Sequence, residues 1–131
     1  MNWPKDLVDY RREKAAKTLD DAVDMVNKKS FLSAVNRMYY ALFYEVTALL
    51  LLKNLSSPKH TGIRSLFNEH FIRTGIVSVE LGKFYSKIFD FRQEGDYADF
   101  VVFEELDVKE WLKKSQRYID ELEAIITEQM K

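Results

Sequence analysis

Met38-Tyr39-Tyr40-Ala41-Leu42-Phe43-Tyr44-Glu45-Val46-Thr47-Ala48-Leu49-Leu50-Leu51-Leu52 is the stretch that decides the fold. Its apolar and aromatic residues wrap nearly the whole circumference of a helix, and a helix without a polar face must be covered on several sides. The chain has 131 residues, enough for one domain with a real core and too few for two. This segment is therefore the central helix of a bundle, a helix at a subunit interface, or both. From Tyr39 to Leu52 the run is interrupted by Glu45 and falls short of the roughly 20 apolar residues of a membrane span.

Outward from this segment, four glycines and two prolines leave the chain little punctuation, and no strand-like alternation appears. The second helix is expected from about Phe31 to Lys53, with Ser30 as N-cap. Before it, a first helix runs from about Pro4 to Asn27, its apolar face made by Leu7, Tyr10, Ala15, Leu19, Ala22, Val23 and Val26. After it, Ser57-Pro58 opens a short third helix that Thr74-Gly75 ends, with His70 on its apolar side. Ser78 caps a fourth helix in which Leu81, Tyr85, Ile88 and Arg92 share a stripe, and Gly95 stops or bends it. Asp96 to Glu104 reads as an aromatic loop containing Tyr97, Phe100 and Phe103. Asp107 and Glu110 form a capping box for a fifth helix that buries Trp111, Ser115, Tyr118, Leu122 and Ile125. The fold class is all-α: one domain over residues 1–131, an up-and-down four-helix bundle plus one short helix.

Lys plus Arg total 20 against 21 Asp plus Glu, so the chain as a whole is no polyanion binder, although a local basic patch fits. Without cysteine there is no disulfide, zinc-thiolate site or thiol nucleophile. Met1-Asn2-Trp3-Pro4 lacks the pattern of a signal peptide, and the expectation is a soluble cytoplasmic protein, with no membrane partner. Two histidines without a carboxylate pair make no metal-site pattern. No phosphate loop, nucleophile elbow or His-Glu-x-x-His occurs, and no cofactor is implied.

The sharpest local feature is Phe89-Asp90-Phe91-Arg92-Gln93-Glu94-Gly95-Asp96-Tyr97. An arginine keeps its charge, so at the end of an apolar stripe Arg92 needs a partner: Asp90, Asp96, a phenol or a phosphate. Arg37 has Tyr40, Ala41 and Tyr44 on its own helical face. Such an arginine grips a phosphate or stacks under a base, or it ties helices together through a carboxylate such as Asp96 while the tyrosines serve the core. His60 sits in the first turn of the third helix, where a cation opposes the helix dipole. It reads as a neutral capping or surface residue, or as one that faces a ligand.

These segments resemble the HEPN domain family, in its small single-domain prokaryotic branch. Arg37-Met38-Tyr39-Tyr40-Ala41-Leu42-Phe43-Tyr44 is similar to that branch's Arg-x-Tyr-Tyr-Ala-x-Phe-His/Tyr segment. Lys59-His60-Thr61-Gly62-Ile63 leading to Phe67-Asn68-Glu69-His70-Phe71 and Gly75, then Arg92 to Tyr97, follow in the family's order and spacing. The resemblance implies a four- or five-helix bundle, a homodimer through the long helices, and pairing with a minimal nucleotidyltransferase as toxin and antitoxin. Active members are metal-independent ribonucleases with an arginine, four to six residues, then a histidine.

Here the chain departs from the family. Tyr97 occupies the histidine position after Arg92, and Tyr44 stands at the end of the corresponding interval from Arg37. Cleavage by the 2′-hydroxyl needs a proton acceptor, a proton donor and a cation for the phosphorane charge. Arginine supplies the cation and a histidine the proton transfers, whereas a phenol of pKa about 10 is a poor base at neutral pH. The resemblance thus implies an RNA- or nucleotide-phosphate-binding HEPN half using Arg37, Arg92, Tyr40, Tyr44, His60 and Asp96, with the nuclease step lost or altered. The alternatives are an active ribonuclease toxin using Arg92 with His60 or Tyr97, and a structural helical dimer in which both arginines only hold the fold. Because family nucleotidyltransferases adenylylate a tyrosine near the motif, Tyr97 is also a candidate acceptor.

Overall fold

A computed structural model describes residues 2–97, 99 and 101–131, without the side chain of Tyr97. The described residues form α1 (Lys5–Asn27), α2 (Phe31–Leu51), α3 (His60–Phe67), α4 (Val79–Tyr97) and α5 (Glu105–Gln129), with no strand among them. α3 runs directly into a π-helical turn, Asn68–Ile72.

Side-chain contacts fix the directions. Arg11 on α1 bonds Thr47 near the end of α2, and the Asn54 amide bonds the Asn2 carbonyl, so α1 and α2 are antiparallel. Gly95 near the end of α4 lies against Leu32 at the start of α2. Phe91 meets Trp111, and Phe84 meets Tyr118, which sets α4 antiparallel to α5. The result is the expected up-and-down bundle with α3 as the short extra helix. α2 is its centre and packs on α1, α3, α4 and α5. Tyr39, Leu42, Leu49 and Leu50 are fully buried, each stabilising the fold by roughly 1.5–3 kcal/mol. No helix among the described residues is long and apolar enough to cross a membrane.

Helix ends differ from the expected ones for local reasons. Pro4 precedes α1 as its N-cap, and Val8 takes the buried position while Leu7 and Tyr10 stay exposed. Lys59 caps α3, and the Ser57 hydroxyl accepts the Lys59 amide in the turn before it. α5 starts at Glu105, which leaves Asp107 inside the first turn and not at the cap. His70 is half-exposed beside Glu69, so it is not a core residue. Ser78 caps α4 as expected, accepting the Leu81 amide. Gly95 does not stop that helix: it lies within α4, two residues before its end, and a Cβ there would come within 3.3 Å of Leu32 Cδ2 and 3.5 Å of Phe103. Phe100, placed in the aromatic loop, lies outside the described residues.

Gly62 has a sharper requirement. A Cβ there would overlap Ser57 Oγ and approach Ser57 Cβ to 2.8 Å. Gly62→Ala is expected to cost about 1–3 kcal/mol by forcing the turn off α3. A urea melt checks this, and an unchanged midpoint would show that the turn gives way freely.

Candidate functional site

Tyr39 and Tyr40 project from α2, and Phe89 and Arg92 from the facing side of α4. Arg92 is only 8% exposed. Its guanidinium carbon lies 4.8 Å from the centre of the Tyr39 ring, 5.8 Å from Tyr40 and 5.9 Å from Phe89. Nη1 donates to Asp96 Oδ2 at 3.3 Å, one turn along α4, while the buried Nε has no partner among the described residues. Five donors thus meet one long carboxylate bond and three ring faces, which is thin satisfaction for a buried guanidinium. Asp90, the other acid expected near Arg92, faces Arg64 instead.

Arg37 comes to the same ring. Its guanidinium carbon is 5.4 Å from the Tyr40 centroid, so two arginines from different helices share one phenol. Nε and Nη2 of Arg37 both donate to Asn36 Oδ1, at 3.2 and 2.7 Å. The carboxylate tie weighed for Arg37 is not seen among the described ion pairs. Arg37, Asn36, Ser33 and Asp96 line an open groove of about 430 Å³. Asp96, on the wall of that groove, is paired with the buried Arg92 and is a third exposed.

The turn before α3 delivers His60 to this cluster. Its Nδ1 lies 2.7 Å from the Tyr39 hydroxyl, and its ring stacks on Phe43 with centroids 4.4 Å apart. Burial raises the Tyr39 phenol to about 12, so it stays protonated and donates to Nδ1. The neutral imidazole then carries its proton on Nε2, a tautomer inferred from the bond. Burial first, and the charge of Arg92 second, hold the His60 pKa below its ordinary value. Tyr85, buried behind Tyr39, is pushed well above 10 by burial and by Tyr39, and its hydroxyl has no bond partner among the described residues. Replacing Arg92 by glutamine is expected to raise the His60 pKa toward 6.5, because one of its two depressing causes is removed. An NMR titration of the imidazole reads this, and an unmoved pKa would place Arg92 outside its field.

Two expected members lie elsewhere. The Tyr44 ring touches Tyr40 at 6.0 Å but turns toward α1, where Lys14 Nζ sits 4.7 Å over it. It does not join the arginines, because it shares their helical face but stands seven residues, about 10 Å, further along the axis from Arg37, where Lys14 of α1 covers it. The Tyr97 backbone closes α4, and its side chain lies outside the described residues. Sequence reasoning missed Tyr39 as the hub between Arg92 and His60. Nothing in its local pattern separates it from a core tyrosine, and both partners are distant in sequence. Asn36 was missed as well, although its adjacency to Arg37 was a usable signal. Among the described residues no His, Asp and Glu group is placed to hold a metal.

Comparison with known proteins identifies the family of the chain. The model of the HEPN domain matches residues 8–125. The "UPF0332 protein" of Thermotoga maritima is 47% identical over 126 residues, 96% of either chain. Two proteins of Methanocaldococcus jannaschii, each named "Putative toxin", are 32% identical over 82% of this chain and 74% of theirs, and 29% identical over 88% and 86%. With the match running from α1 to α5, the chain belongs to the HEPN domain family.

Proposed function

We propose that this chain is the phosphate-binding HEPN half of a toxin–antitoxin-like pair with a nucleotidyltransferase, and that it grips RNA or a nucleotide between Arg37 and Arg92. The observation that carries this reading is the pair of guanidiniums on the Tyr40 ring, one buried and one at the mouth of the groove. A phosphate entering the groove displaces Asp96 from Arg92 and accepts charge-assisted bonds from both arginines. Relatives named as toxins support the pair setting. Leu32 and Val102, exposed near the groove, suit a homodimer that places two such grooves together.

A second reading, a ribonuclease, is favoured by one specific contact: His60 is held one phenol away from Arg92. In that reaction the 2′-oxygen attacks phosphorus, Arg92 stabilises the phosphorane, and the 5′-oxygen leaves with a proton. The resting tautomer of His60 offers that proton on Nε2. It offers no lone pair for the 2′-hydroxyl, and the raised Tyr39 and Tyr85 phenols are no bases at neutral pH. Of the groups around His60 none is a free resting acceptor, and the one carboxylate at hand, Asp96, is held by Arg92, which favours the binding reading.

The test is incubation of purified protein with single-stranded RNA in a chelator, beside Arg92→Met and His60→Ala. RNA retention by wild type without cleavage, lost in Arg92→Met, supports the binding module. Cleavage abolished by either substitution supports the ribonuclease. Neither retention nor cleavage leaves the arginines structural.

A further inference from the structure

A second groove lies between α1, the outer side of α2 and the α2–α3 loop, on the far side of Phe43 from the arginine cluster. It holds about 330 Å³, and Tyr10, Arg11, Lys14, Tyr44 and Ser57 are among its lining residues. The volume is at the small end of the roughly 300–1,000 Å³ range of ligand sites.

Its charge is unbalanced. Of the other cations on α1, Lys5 pairs with Asp9 and Arg12 pairs with Asp9 and Glu123, while Lys17 has no ion pair among the described residues and does not line this groove. Arg11 and Lys14, which turn into this groove, form no ion pair among the described residues. Arg11 Nη1 rests on a neutral hydroxyl, Thr47 Oγ1, at 2.9 Å, and that hydroxyl is itself committed to the Tyr44 carbonyl at 2.8 Å. Lys14 Nζ lies over two phenol rings, 4.7 Å from Tyr44 and 5.7 Å from Tyr10. Tyr10 is 54% exposed, a large ring face kept in water.

Two uncompensated cations beside two available aromatic faces, over an apolar floor of Leu51, Leu55 and Ile63, match a small ligand that joins a dianion to a flat ring. We infer that this groove binds a nucleoside monophosphate, the base on Tyr44 and Tyr10 and the phosphate between Lys14 and Arg11. On binding, the flexible Lys14 stem moves its ammonium from the ring faces to the phosphate. Arg11 is already fixed by Thr47, so its guanidinium needs no reordering. The Ser57 hydroxyl is at hand for the ribose. The site uses neither Arg37 nor Arg92, so it stands or falls independently of the function proposed above.

Adenosine monophosphate titrated into the ¹⁵N-labelled full chain tests this by amide NMR. Saturable shifts are expected at Arg11, Lys14 and Tyr44. Lys14→Glu, at an exposed position, should weaken binding about tenfold or more, and ribose 5-phosphate should bind about tenfold more weakly because it cannot stack. Tyr44→Ala should lose the same base-dependent part, with a melt confirming that it folds. Shifts absent at about 10 mM ligand, or confined to Asn36, Arg37 and Asp96, would overturn the assignment. So would equal affinity for Lys14→Glu and wild type.

Discussion

Arg92→Ala is expected to weaken binding of a short single-stranded RNA by about 30- to 1,000-fold, the effect of roughly 2–4 kcal/mol that a central buried arginine carries. The size follows from its setting. Arg92 is 8% exposed and already desolvated against Tyr39, Tyr40 and Phe89, so its charge is screened little by water and is fixed before ligand arrives. Alanine also leaves a void under three rings, so part of the loss will be instability. Arg92→Met separates the two contributions: it keeps the stem's packing and removes the guanidinium. Binding by Arg92→Met should fall nearly as far while its melt stays close to wild type. Asp96→Asn should act in the opposite direction, because it removes the counter-charge that phosphate must displace. If Asp96→Asn lowers the stability of the protein and leaves binding unchanged, the pair is a structural tie.

The second large effect is at Glu45, on the buried side of α2. It is 1% exposed, and neither carboxyl oxygen has a bond partner among the described residues. Burial first, then the neighbouring Glu123, push its pKa up to about 9, with Arg12 opposing. Glu45 is therefore protonated in the fold and ionised in the unfolded chain once pH passes its ordinary 4.5. The sign follows: this residue's contribution is intact below pH 4.5 and is lost progressively as pH rises toward 9, by at most about 1.4 kcal/mol per unit. Glu45→Gln has no proton to hold. It should stabilise the protein by roughly 2–3 kcal/mol near neutral pH, and its advantage should grow between about pH 5 and pH 8. Paired urea melts at those two pH values measure the difference, in which titrating groups that do not interact with Glu45 cancel. A difference that stays constant would mean that Glu45 is ionised in the fold.

Much of this was legible in the chain. The apolar run around Tyr39–Leu52 calls for a helix covered on several sides, and α2, packed on four other helices, is that helix. Ser78 and Gly75 act as their residue types dictate, the glycine with a φ of 78°. The failures came where a tertiary neighbour overruled a local signal. Gly95 reads as a stop, yet it is an opening for Leu32 and Phe103. Ser57-Pro58 reads as a helix start, yet Ser57 is held in the turn against Gly62. In the site, Arg37, Arg92 and Asp96 were visible because each is a charge in an apolar setting. Tyr39 and His60 were not recognisable as partners, since 21 positions separate them in the chain. Glu45 was visible only as an interruption, because its isolation depends on which faces α1 and α5 cover.

The central claim is that Arg37 and Arg92 form one phosphate site on Tyr40. The salt dependence of single-stranded RNA affinity tests it most directly, measured for wild type, Arg37→Ala, Arg92→Met and the double variant. Each phosphate neutralised contributes about 0.7 to the slope of log affinity against log salt. The account predicts a slope shallower by about 0.7 if the two arginines hold one phosphate between them, with the double variant no shallower than the singles. Slopes and affinities equal to wild type in both single variants would contradict it.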